Sequence, residues 1–193
     1  MSEYVSLLHI LDLNPHITKF VFKDHSCLMD NNYVLDIADF IQRLPSLRCL
    51  DVVCYCCRSL RMDCSLDGLE VLPRNLEHIR FEKCQLHTSV IEMLLLLPRL
   101  HKFSVLRCTM DDVLEAMQFI ERIQYDDTIG VYPRTIQCFE FEAPHRDNPW
   151  SLGYIVALLS LMPCIKRVSL SRCNPKFVES VRQQLPHVKV NKL

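Results

Sequence analysis

The apolar residues of Asn75–Leu86, NLEHIRFEKCQL, fall at 76, 79, 81, 84 and 86, so their spacing runs three, two, three, two. A half-buried strand would alternate strictly and a helix would space its apolar residues by three and four. This pattern does neither, and it recurs. LHKFSVLRCTM places Leu100, Phe103, Val105, Cys108 and Met110 at the same offsets, and IKRVSLSRCNP places Ile165, Val168, Leu170, Cys173 and Pro175 there. Looser copies are Ile17, Phe20, Phe22; Leu47, Leu50, Val52; and Ile136, Phe139, Phe141, whose ninth positions hold His25, Tyr55 and Pro144. The starts at 17, 47, 76, 100, 136 and 165 are separated by 30, 29, 24, 36 and 29 residues. Pro45, Pro73, Pro98, Pro133 and Pro163 each stand two or three residues before a start. Self-similarity at such a period is the signature of a solenoid, in which one unit cannot bury its apolar face and stacked units share a core.

Between these runs the periodicity turns helical. YVLDIADFIQRLP sets Val34, Ile37, Phe40, Ile41 and Leu44 on one face after the candidate caps Asn31 and Asn32. TSVIEMLLLLP opens on a Ser89/Glu92 capping box, and DDVLEAMQFIERI on two acids suited to a helix N-terminus. PWSLGYIVALLSLMP and NPKFVESVRQQLP follow, the latter with Asn174 as cap and Pro175 in the first turn. Helices should stop at Leu-Pro or Met-Pro, because the residue before proline resists the α region. Cys57 to Leu72 is weakly periodic and is expected to hold a short helical turn, while HVKV near the end reads as a short strand. Gln124–Tyr132 and Ala143–Trp150 interrupt the period as insertions.

The repeated unit resembles that of the leucine-rich repeat family, which begins L-x-x-L-x-L-x-x-N/C-x-L. More narrowly it is similar to the long, cysteine-type units of ribonuclease-inhibitor-like and F-box-associated repeat proteins, from about residue 17 onward. The resemblance implies an α/β leucine-rich repeat solenoid, or horseshoe: a concave parallel β-sheet with helices on the convex side. It would be one domain over 1–193, with residues 1–16 as an N-terminal capping helix (2–13 in detail, Val5, Leu8 and Leu11 inward) and about six to seven repeats from 17 to 193.

Composition narrows the function. Three glycines, Gly68, Gly130 and Gly153, provide no phosphate-cradling loop or dinucleotide fingerprint. No metalloprotease helix, nucleophile elbow or kinase signature occurs. His78 and His101 are expected on exposed strand positions with no nucleophile at a fixed offset. The expectation is therefore a non-enzymatic protein without cofactor. A net charge of −1 gives no steering toward nucleic acid, and IEMLLLLP is far short of a bilayer span. MSEYVSLLHIL lacks the basic residues of a targeting peptide, so an intracellular, reducing, cytoplasmic setting is expected, with nucleus or organelle open.

Eleven cysteines fit that setting. Cys84, Cys108 and Cys173 occupy the inward-turning ninth position, where a small residue caps the strand and can hydrogen-bond the bend. CLDVVCYCCRSLRMDC gathers Cys49, Cys54, Cys56, Cys57 and Cys64, yet it holds one CxxC where structural zinc usually takes two. Register would turn Cys49 and Cys54 outward and Cys57 inward. No metal is expected, and a zinc or redox role for the Cys49–Cys64 cluster remains a remote alternative.

Strand positions three, five, seven and eight should project from the concave sheet, since four and six point in. They carry eight basic residues (Lys19, Lys23, Arg80, Lys83, Lys102, Arg107, Arg167, Arg172) and five acidic ones (Asp24, Asp51, Glu82, Glu140, Glu142). That excess is too small for nucleic acid. Arg80, Lys83, Lys102, Leu106 and Arg107 should cluster as a leucine ringed by cations, suiting a protein partner with acidic residues around an apolar anchor. Trp150, in the second insertion, is another candidate anchor, and Val53 and Leu106 are candidate apolar surface residues. The implied function is a protein–protein interaction module, an accessory or scaffold subunit of a larger assembly. The alternative is a ubiquitin-ligase adaptor lacking its own F-box, for which no room is expected before residue 17.

Overall fold

The computed structural model describes residues 9–24, 35–36, 43–54, 59–61, 75–86, 97–110, 118, 121, 135–143 and 152–192. Seven parallel strands form one open sheet: β1 (Lys19–Asp24), β3 (Cys49–Cys54), β5 (His78–Glu82), β7 (Lys102–Leu106), β9 (Cys138–Glu142), β10 (Arg167–Ser171) and β11 (Lys189–Lys192), adjacent in that order. Each repeat start therefore delivers one strand, and HVKV delivers the last. The register matches equivalent positions throughout: Ile79 pairs with Leu50 and Phe103, and Phe139 with Phe103 and Val168.

A local device starts the strands. Pro45, Pro98, Pro163 and Pro186 each occupy the second place of a four-residue turn, closed by Leu47 N–H to Leu44 O (3.0 Å), Leu100 to Leu97 (3.4 Å), Ile165 to Met162 (2.9 Å) and Val188 to Leu185 (3.0 Å). Pro15 does the same in the turn closed by Ile17 and Asn14 (3.2 Å). Proline's fixed φ suits that place, and its missing N–H leaves nothing unsatisfied there. The turn sends the next apolar residue inward as the strand begins.

The three-two-three-two spacing has a conformational cause. Lys83, Arg107 and Arg172, all at position eight, have φ of 57°, 56° and 56°. This left-handed residue breaks the two-residue alternation. Position eight, which would otherwise face inward after six, turns out, and position nine turns in. Cys84 and Cys108 are accordingly buried to 1% and 0% exposure. Their thiols reach back to the carbonyls of Glu82 (3.2 Å) and Leu106 (3.5 Å), and Cys173 to that of Ser171 (3.3 Å). The ladder continues through the bend: Lys83 N–H donates to Leu106 O and Arg107 N–H to Glu142 O, each at 2.8 Å.

Beyond the bend lies an element that the sequence reading did not anticipate. β2 (Leu35–Asp36), β4 (Ser59–Arg61), β6 (Gln85–Leu86) and β8 (Thr109–Met110) form a second parallel sheet in the order β2-β4-β6-β8. Two expectations are corrected by it. Ser59–Arg61 is a strand near the front of the stretch expected to hold a helical turn, whose remainder from residue 62 to 72 lies outside the described residues. Leu35–Asp36 is a strand at the front of an expected helix. In both places pairing with the neighbouring repeat, Leu35 with Leu60 and Leu60 with Leu86, outweighs local periodicity. The rest of that helix up to Gln42, the Ser89/Glu92 capping box and Cys56, Cys57 and Cys64 lie outside the described residues, as do Trp150 and the insertions apart from Ala143.

Two of the expected helices are described over most of their length: α1 (Leu152–Ser160) and α2 (Pro175–Gln184). Asn174 caps α2, its side-chain oxygen accepting from Lys176 N–H at 2.9 Å, with Pro175 in the first turn as the sequence implies. Residues 9–12 are helical, and Leu11 of the expected capping helix is buried. Tyr154, Ile155, Leu158 and Leu159 of α1 and Val178 and Val181 of α2 join the inward strand residues in one core. Its spine is aromatic. Phe81 meets Phe103 edge-on at 6.4 Å, Phe103 lies 5.6 Å from Phe139, and Phe141 stacks on Phe177 at 6.5 Å. Such pairs add to the burial of area.

Candidate protein-binding face

Register turns the outward side chains of the seven-stranded sheet into rows running across the strands. Position three contributes Lys19, Cys49, His78, Lys102, Cys138, Arg167 and Lys189. Position five contributes Val21, Asp51, Arg80, Ser104, Glu140, Ser169 and Asn191, and position seven Lys23, Val53, Glu82, Leu106, Glu142 and Ser171. The first row has four cations and no carboxylate. The two central rows hold the acids, and the left-handed cations Lys83, Arg107 and Arg172 border the far side.

The expected patch is corrected by these rows. Arg80 pairs with Glu82 at 2.6 Å, Lys102 with Glu140 at 2.6 Å, and Arg107 Nε with Glu142 at 2.9 Å. Leu106 is half-buried and stands in register between Glu82 and Glu142, so two carboxylates flank the leucine that was expected inside a ring of cations. Glu82 and Glu142 are at position seven, in line with Leu106, and Glu140 is at position five; the Lys102–Glu140 and Arg107–Glu142 pairs cross between strands and arise only when the repeats stand side by side. Arg80, Lys83 and Arg107 are half-buried where full exposure was expected, and Val53, expected at the surface, is 7% exposed. Ser104, read as outward, is 0% exposed because its hydroxyl donates to Glu140 Oε2 at 2.8 Å beneath the Lys102 ion pair.

Titration behaviour follows the same layout. Burial alone would raise the Glu140 carboxyl, but hydrogen bonds from Lys102 and Ser104, with the Lys102 charge, carry it below its ordinary value. His78 is half-buried where exposure was expected; burial first and Lys102 second hold it below the usual histidine value. Burial pushes the Cys173 thiol up to about 11, with Glu142 adding to the effect and Ala143 opposing it. His101 is exposed, as expected, its Nδ1 against the carbonyl of Arg99. Cys49 and Cys138 are half-buried free thiols in row three, and Arg167 reaches the Cys138 sulfur at 3.4 Å. Among the described residues no group of three or more His, Cys, Asp or Glu could hold a metal ion, and no helix is long and apolar enough to cross a membrane.

The signal that could have revealed the bend in advance is the step of three, where alternation would give two, from Phe81 to Cys84, Val105 to Cys108 and Leu170 to Cys173. No protein-family model matches the chain, and no curated protein matches it.

Proposed function

We propose that the chain is a leucine-rich repeat solenoid whose outward sheet face binds a protein partner, making it a non-enzymatic accessory or scaffold subunit of a larger intracellular assembly. The observation that carries this reading is the register. Seven strands in one frame present charged side chains in fixed rows, so a partner meets an array whose ordering cost was met in folding. The carboxylate-free row of Lys19, Lys102, Arg167 and Lys189 suits acidic residues of the partner. Half-buried Leu106 and the more exposed Val21 offer apolar contact between the cationic borders.

The test is cross-linking of the full chain in native lysate with a lysine-to-carboxylate reagent, followed by peptide mapping. Acidic peptides from one stable particle, joined to Lys19, Lys102 or Lys189, support the reading. Cross-links confined to Lys176 of α2 would reject this face as the contact.

A further inference from the structure

Most described ion pairs of this chain join one cation to one carboxylate; Glu142 serves two arginines. Arg107 Nε lies 2.9 Å and Arg172 Nε 3.2 Å from the same oxygen, Oε1, of Glu142. Two guanidinium groups therefore converge on a single negative charge, leaving the trio with an excess positive charge. Glu142 is well covered, its side chain 13% exposed, whereas those of Arg107 and Arg172 are 37% and 62% exposed. Each arginine contacts Glu142 through Nε, and the Nη atoms of both have no partner among the described residues. A guanidinium has five N–H donors in a planar fork matched to oxyanions, so most of that capacity is unused among the described residues.

The backbone aims both side chains. Arg107 and Arg172 sit at φ 56°, a region that disfavours any residue with a side chain and suits glycine or asparagine. The bend needs the conformation but not the charge. The left-handed turn lifts both arginines out of the sheet on either side of β9, over Glu142. Arg48, by contrast, spends its fork on Glu77 in contacts of 2.7 and 2.9 Å, and Arg43 holds both oxygens of Asp12.

We infer that Arg107 and Arg172 form a site for one oxyanion, a carboxylate or phosphate group borne by a protein segment, with Glu142 holding the two guanidiniums together until the anion arrives. The source of the anion rests on the protein-binding reading above; the site itself rests on the two converging guanidiniums. Oxyanions bind such forks through paired charge-assisted hydrogen bonds.

The experiment is NMR of the full chain with ¹⁵N-labelled arginine side chains, titrated with inorganic phosphate. Saturable shifts of the Arg107 and Arg172 Nε signals are expected, with Arg48 and Arg43 unmoved. The double variant R107G/R172G keeps the fold, since glycine suits φ near 56°, and should weaken phosphate binding by about tenfold or more. No saturable shift, or an equal shift at exposed Arg182, overturns the site. A glutamate-rich peptide and its phosphoserine counterpart then compete for the phosphate-loaded protein. Displacement by one names the source, and displacement by neither overturns a protein-borne anion. If R107G/R172G loses phosphate but keeps a cross-linked partner in full, the inference fails while the binding reading stands. If phosphate binds but no partner is found, the reading fails and the site stands.

Discussion

The Cys84 thiol lies 3.2 Å from the carbonyl of Glu82, across a Lys83 held at φ 57°. Those three residues end one strand and redirect the chain into the second sheet; Leu106–Arg107–Cys108 does the same ahead of β8, and Ser171–Arg172–Cys173 makes the same bend ahead of α2. The thiol fills a small buried space and adds a weak hydrogen bond to the carbonyl two residues before it.

Cys84→Ala should therefore destabilise the protein by about 1–2 kcal/mol, combining lost volume with a lost weak hydrogen bond. Cys84→Leu should cost more, because the site has no room for a longer side chain. The backbone half of the bend is tested by comparing Lys83→Gly with Lys83→Ala. Glycine should be the more stable by about 1 kcal/mol, since alanine keeps the Cβ that the left-handed region disfavours. Urea unfolding followed by circular dichroism measures all four substitutions. A glycine variant less stable than the alanine one would contradict the assigned conformation.

The sequence carried the strands because inward residues such as Ile79, Phe81, Phe103 and Val105 have little freedom: apolar volume must go to the core, and its spacing records the backbone. It carried α2 because Asn174 and Pro175 are local signals whose effect needs no distant contact. The second sheet was hidden, since two-residue strands such as Gln85–Leu86 are made by pairing between repeats and leave almost no periodicity. The candidate site was legible by position and misread in charge. Position counting found Arg80, Lys102 and Arg107 and could have paired Arg80 with Glu82 two residues on, but Glu140 and Glu142 become neighbours of Lys102 and Arg107 only through register and bend. Ser104 was misread for a related reason: a short side chain on an outward position disappears beneath Lys102 and Glu140 from its own and the next strand.

Ser104→Ala should cost about 1–2 kcal/mol at neutral pH, because it removes a buried donor to an ionised carboxylate. The cost should depend on pH in a defined direction. Glu140 has its carboxyl below the ordinary 4.5 in the folded protein, so its stabilising contribution is present above that value and is lost as pH falls through the folded one. The gap between wild type and Ser104→Ala should narrow over the same acid range, where the protonated carboxyl becomes a weaker acceptor. Guanidinium chloride would screen the Lys102 pair, so urea at matched ionic strength is the suitable denaturant. A gap that stays constant down to strongly acidic pH would show that Ser104 matters for packing and not for Glu140.

His78 sets a second and separate acid window. It stands in row three between Cys49 and Lys102, near Asp51 and Glu140, and its Nε2 is buried with no hydrogen-bond partner. Burial, Lys102 and Lys19 lower its pKa from 6.5, while Asp51 and Glu140 oppose them without reversing the shift. The unfolded chain therefore binds a proton that the folded protein refuses just below 6.5, and stability must fall as pH drops through that value toward the folded pKa. Above 6.5 the group is neutral in both states and contributes no slope. Histidine→glutamine at this position keeps a polar side chain of similar reach and removes the titration. Wild type should thus lose stability between about pH 6.5 and 5.5, and His78→Gln should lose less over the same interval. Following the His78 ring protons by NMR gives the folded pKa directly. A midpoint above 6.5 would mean that Asp51 and Glu140 prevail over burial, and the slope between the two pH values would then reverse.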